Sequence, residues 1–151
     1  MHTVSTTTPS PTTIAPRKRA VIRAATVGAV AATVVNVALW GIGRVAGASF
    51  VVDPGLGEPN LEVGVIKVIL TTLVPFAVGA ALLALAARWS RRWVAVLAVV
   101  AGVFAVVSAV GPLDGGHDTG TGVLLATMHV TTGAAFVLAA MGVQMLRHAP
   151  S

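Results

Sequence analysis

The sequence has no cysteine, which excludes disulfides, thiol redox chemistry and cysteine-ligated metal sites. Charge is almost as scarce. Asp, Glu, Lys and Arg together make up 10% of the 151 residues, against about 25% in an ordinary soluble domain. So few charges cannot clothe a globule of this size in a solvated surface, so most of its exterior is expected to face lipid. There is no glycine-rich phosphate loop, no HExxH pair and no GxSxG elbow. No segment shows the period-two alternation of a barrel strand. No enzyme activity and no cofactor are therefore expected.

What is abundant is apolar. Hydrophobic residues account for 56% of the chain and the mean hydropathy is +0.89. A bilayer core needs about 20 helical residues per crossing, and four stretches meet that length. They predict helices over 22–46, 63–88, 92–110 and 121–147. Helices satisfy their own backbone groups in lipid, which open strands cannot do. The expected fold is all-α: a polytopic membrane protein with a four-transmembrane-helix bundle at 20–148. Residues 1–19, rich in Thr, Ser and Pro and ending in a basic cluster, read as a disordered tail. Ala46-Gly47-Ala48 looks like a signal-cleavage site, but the apolar run before it is too long and Arg44 stands beside it.

Charge placement orients the bundle. Arg17, Lys18, Arg19, Arg23, Arg88, Arg91, Arg92 and Arg147 fall on one side of the expected spans. All five acids, Asp53, Glu58, Glu62, Asp114 and Asp118, fall on the other. The positive-inside rule then predicts cytoplasmic N- and C-termini in a cell membrane. The net charge of +5 is accounted for by topology, and nucleic acid is not an expected partner. The lipid bilayer is the expected surrounding, and a homo-oligomer or a membrane protein partner is possible.

Within lipid, helices associate through small residues and interhelical hydrogen bonds. In the third helix Ala98, Ala101, Gly102 and Ala105 form a small face ending at Ser108, opposite a valine stripe. In the first, Ala25, Ala29, Ala32, Asn36, Gly43 and Gly47 share a stripe. Gly43-x-x-x-Gly47 fits either a dimer contact or a close approach inside the bundle. The second helix offers Ala77, Ala80, Ala81 and Ala84. Depths counted at 1.5 Å per residue place Asn36, Thr71, Thr72 and His129 about 12–15 Å below the acidic surface. A hydrogen-bonded cluster of these four is expected. Pro75 supplies no N–H to the Thr71 carbonyl one turn earlier.

Nearer that surface, Arg44 requires an acid, with Glu62, Asp53 and Asp114 as candidates, and Lys67 can extend to the headgroups. Arg44, Lys67 and Glu62 would mark the outer mouth. Asp114, His117 and Asp118 are weak metal-ligand candidates in a glycine-rich loop, Leu113–Gly120. Helix capping suits the carboxylates better. Gly111-Pro112 is expected to end the third helix.

The runs Ser108-Ala109-Val110-Gly111-Pro112-Leu113 and Met128-His129-Val130-Thr131-Thr132-Gly133 resemble an actinobacterial family of small four-helix membrane proteins known as a domain of unknown function. The resemblance spans Ala24–Leu146 and implies an inner-membrane location without an assigned activity, substrate or cofactor. It supports His129 alone among the cluster residues. Three roles remain open. The first is a structural or partner-binding membrane protein. The second is a small transporter or solute-binding protein with its polar site in the outer half. The third, a membrane enzyme, would require an acid within reach of His129.

Overall fold

The computed structural model describes residues 14–55, 57 and 59–145. The element order is α1 (Ile14–Val45), β1 (Val51–Val52), β2 (Leu61–Glu62), α2 (Val65–Trp89), α3 (Arg91–Ser108), α4 (Val110–Gly115) and α5 (Thr119–Met145). Four segments, Val21–Val45, Val65–Trp89, Arg91–Gly115 and Thr119–Met145, are long and apolar enough to cross a bilayer. The chain is a multi-pass membrane protein built as a four-helix bundle.

Three boundaries differ from the sequence reading. α1 begins at Ile14, so Arg17, Lys18 and Arg19 lie within its first turns rather than in a tail. Pro16 permits this, because the N–H groups of a helix's first turn have no intrahelical acceptor to lose. Residues 1–13 of the expected tail lie outside the described residues, as does Arg147. Pro112 does not open a loop. It stands in the first turn of the short α4, and Ala109 at the junction keeps helical dihedrals, φ −69° and ψ −18°. The second loop at the acidic end shrinks accordingly to Gly116–Asp118. The first loop at that end is not wholly irregular: β1 pairs antiparallel with β2, Val51 opposite Glu62 and Val52 opposite Leu61. Val52 also bridges Gly116.

α1 packs along α5 and α2, and α3 packs along α5, whereas α2 meets α5 at few points. α2 and α3 are joined by Ser90 alone, whose hydroxyl accepts from Trp93 N–H and caps α3. The small residues of α3 turn inward as their spacing requires. Ala98 and Ala105 are buried, while Val99, Val103 and Val107 of the opposite stripe are exposed. Gly133 of α5 lies so close to Ala105 that no Cβ would fit there.

The expected packing stripes of two other helices change in part. In α1, Gly43 is buried against Phe50 and Leu124, inside the bundle. Gly47 packs against nothing; its φ of +89° ends the helix turn. In α2, Ala77, Ala81 and Ala84 face outward, and Val68, Thr72, Phe76 and Leu83 face inward. α2 meets α5 at few points, and its buried alanines, Ala86 and Ala87, lie near the hairpin. Midway along α2, Phe76 lies against Gly28 of α1 and meets Phe136 of α5 edge-on, with centroids 5.6 Å apart.

Two apolar clusters result. One fills the basic half around Ala32, Phe76, Leu83, Val94, Phe136 and Ala140. The other lies toward the acidic end around Phe50, Val63, Val68, Leu125 and Met128.

Candidate functional site

Asn36 lies where α1, α2 and α5 meet, and only 1% of its surface is accessible. Its Nδ2 donates to Thr72 Oγ1 at 3.0 Å and to Thr132 Oγ1 at 3.0 Å, with the Met128 carbonyl at 3.4 Å. Each threonine hydroxyl has already spent its hydrogen on a carbonyl one turn back, Thr72 on Val68 at 2.8 Å and Thr132 on Met128 at 2.8 Å. Both can therefore only accept from Asn36, which fixes the amide with nitrogen toward them. Asn36 Oδ1 is left buried without a donor, the one such side-chain atom among the described residues.

Of the four expected cluster members, the structure brings together Asn36 and Thr72. Thr71 is exposed, and its hydroxyl donates to the Lys67 carbonyl at 2.7 Å. His129 is exposed on the bundle, and its Nδ1 lies 2.8 Å from the Leu125 carbonyl. A carbonyl only accepts, so Nδ1 carries the hydrogen and a neutral ring leaves Nε2 as a bare acceptor. No carboxylate is bonded to His129 among the described residues. The member not anticipated is Thr132. The signal was present: Met128 and Thr132, four residues apart, share the stripe facing α1, and His129 is turned about 100° from Met128.

A cavity of about 590 Å³ lies beside this layer, between α2 and α3 and floored by α5. It runs from Leu82 and Leu97 toward the hairpin to Val63 and Ser108 toward the acidic end. No Asp, Glu, Lys or Arg lines it. Asn36, Thr71, Thr72, Ser108, His129 and Thr132 are its polar contributors among aliphatic and aromatic side chains. Its rim includes Val74, Val78, Val100 and Phe104, all more than half exposed on the side of the bundle. The cavity is thus a lateral crevice facing the surroundings of the helices.

The acidic end is tied down by Asp118, which precedes α5. Its Oδ2 accepts from Ser49 N–H at 3.0 Å, Ser49 Oγ–H at 2.6 Å and Thr121 Oγ–H at 2.7 Å. Its Oδ1 accepts from Thr121 N–H at 2.7 Å, an N-terminal cap. The Ser49 hydroxyl first, then the Thr121 hydroxyl and the two backbone N–H groups, hold this carboxyl far below the usual carboxylate range. Thr121 Oγ1 in turn accepts from Phe50 N–H at 2.8 Å. Phe50 is completely buried with φ +53°, a conformation uncommon for a side chain of its size.

The three weak metal candidates diverge. Asp118 is engaged as above, and His117 Nε2 pairs with Asp53 Oδ2 at 3.0 Å. Asp114 joins neither in a ligand set, and no group of three metal-ligating side chains occurs among the described residues. Asp53 is also held low, chiefly by the Asn60 N–H and then by His117. The mouth charges do converge. Arg44 Nη1 lies 3.8 Å from Glu62 Oε1 and donates to the Ser49 carbonyl at 3.2 Å, with its guanidinium over Trp40. Lys67 Nζ donates to the Glu62 carbonyl at 3.0 Å. Both cations therefore buttress the strand pair.

A family model described as a family of unknown function (DUF6069) matches residues 16–144. No curated protein and no solved structure matches the chain.

Proposed function

The chain belongs to the DUF6069 family, and on that premise we propose that it is a cell-membrane protein that binds an apolar molecule taken from the bilayer into the α2–α3 crevice. The carrying observation is a cavity of about 590 Å³, within the size range of ligand sites, uncharged and rimmed by exposed apolar residues. The competing occupant is a helix from a second copy or a partner protein. Helix–helix seams in lipid favour small residues that let backbones approach, and Val74, Val78, Val100 and Phe104 are large. A flexible chain fits past such a rim better than a helix does.

The same reading orients the protein with the Arg88–Arg92 hairpin in the cytoplasm, supported by Arg19, Arg23, Arg88, Arg91 and Arg92 at one end and Asp53, Glu62, Asp114 and Asp118 at the other. The uncharged crevice favours binding over the accessory or structural role.

Native mass spectrometry of protein extracted from its own membrane tests the binding. The wild type is expected to retain an apolar adduct that Val78→Trp and Val100→Trp lose. A wild type without adduct, or adducts unchanged in both variants, would overturn the reading. So would a dimer that dissociates in those variants, because a protein would then occupy the crevice.

A further inference from the structure

The hydrogen-bonding groups of the crevice are unbalanced. Its hydroxyl donors are all committed to backbone carbonyls: Thr71 to Lys67 at 2.7 Å, Thr72 to Val68 at 2.8 Å, Thr132 to Met128 at 2.8 Å and Ser108 to Ala105 at 3.1 Å. The Nδ1–H of His129 is committed to Leu125, and the Asn36 amide hydrogens to Thr72 and Thr132. What remains uncommitted accepts only. His129, exposed and lining the crevice, has Nε2 left over once Nδ1 is bonded to Leu125, and Asn36 Oδ1 is buried with no donor. Pro75, also in the lining, deprives the Thr71 carbonyl of its helical N–H.

Such a wall repels other acceptors. A carboxylate or phosphate would find every hydroxyl and amide hydrogen of the lining already committed and no lysine or arginine beside it, and would lose its hydration as well. A bare hydrocarbon would leave His129 Nε2 without a donor. A neutral hydroxyl supplies the missing hydrogen without the cost of a buried charge.

We propose that the crevice selects a long-chain alcohol, with the chain along the α2–α3 gap and the hydroxyl hydrogen donated to His129 Nε2. This rests on the crevice being a ligand site.

The test uses full-length protein in nanodiscs of dioleoylphosphatidylcholine, with 1-hexadecanol, hexadecane and hexadecanoate compared by native mass spectrometry at matched mole fraction in the bilayer. Hexadecanol is expected to half-saturate at about one-tenth the mole fraction needed for either competitor, the effect of about one hydrogen bond. His129→Phe keeps a planar ring at an exposed position and removes both nitrogens. It is expected to bring the alcohol and the alkane to within about twofold of each other, a change that a merely structural His129 would not produce. Equal binding of alcohol and alkane by the wild type, tighter binding of hexadecanoate, or an alcohol preference unchanged in His129→Phe would each overturn the headgroup assignment and leave the crevice as a site for apolar chains. Failure of all three to bind, or binding insensitive to Val100→Trp, would overturn the crevice site and the assignment with it.

Discussion

Asn36 of α1 and Thr132 of α5 are hydrogen-bonded at 3.0 Å across 96 residues of sequence, and the bond runs one way, from amide to hydroxyl. Interhelical bonds in membranes contribute about 0.6 kcal/mol on average and about 1.7 kcal/mol at most. Thr132→Val keeps the shape and removes the acceptor, so unfolding in mixed micelles should show a loss of about 1 kcal/mol. Thr71→Val should lose much less, because that hydroxyl bonds only within its own helix. Equal losses in the two variants would mean that the Asn36–Thr132 bond contributes no more than a bond within one helix.

Asp118 gives a pH signature. Its carboxyl is depressed in the folded protein, so its contribution to stability is fully present above the unfolded value of about 3.9. That contribution fades as the pH falls below about 4 toward the depressed folded value. Asp118→Ala should lower the melting temperature by several degrees at pH 7, and the difference from wild type should shrink steadily below about pH 4. Thermal melts from pH 7 to pH 3 measure this. A difference independent of pH would mean that the carboxylate's charge is not what secures Ser49 and Thr121.

Two glycines in one helix should respond oppositely. A side chain at Gly43 would strike Phe50 and Leu124, whereas Gly41 has nothing near it. Gly43→Val should cost about 1–3 kcal/mol by overpacking. Gly41→Ala should be neutral or stabilise by up to about 1 kcal/mol, since alanine restricts the unfolded chain and suits a helix better. Chemical unfolding of the two variants side by side provides the comparison.

The absence of cysteine makes topology directly measurable. Pro59→Cys lies on the exposed segment between β1 and β2, and Ser90→Cys lies at the α2–α3 hairpin. A membrane-impermeant maleimide applied to intact cells should label the first and reach the second only after permeabilisation. The reverse pattern would invert the proposed orientation.

The bundle was legible in the sequence because its solvent is legible: four uncharged runs of sufficient length leave a chain few other choices. The small face of α3 was legible for the same reason, since tight packing at Ala98 and Ala105 demands small side chains. The crevice was not. It arises where α2 stands away from α5, and no local pattern encodes a gap between helices distant in sequence. Depth counting placed polar residues at one level but not at one azimuth, so it grouped His129 with Asn36 when Thr132 faces it. Ser49 and Thr121 were missed because a cap reaching from one loop to another helix needs the fold to bring them together. The Arg44–Glu62 approach was legible, because an arginine at a helix end near lipid requires an acid and few were available.

The single-residue connection at Ser90 has a mechanical consequence. It makes the α2–α3 pair a clothes-peg with its pivot at the basic end. Thr71 and Ser108 lie about 27 Å along the arms at 1.5 Å per residue. A swing of only about 5° at the pivot would move those tips apart by about 2 Å. The gap would then widen most beside His129 and least at Ser90, so the end of the crevice that carries the polar layer is the end such a swing opens.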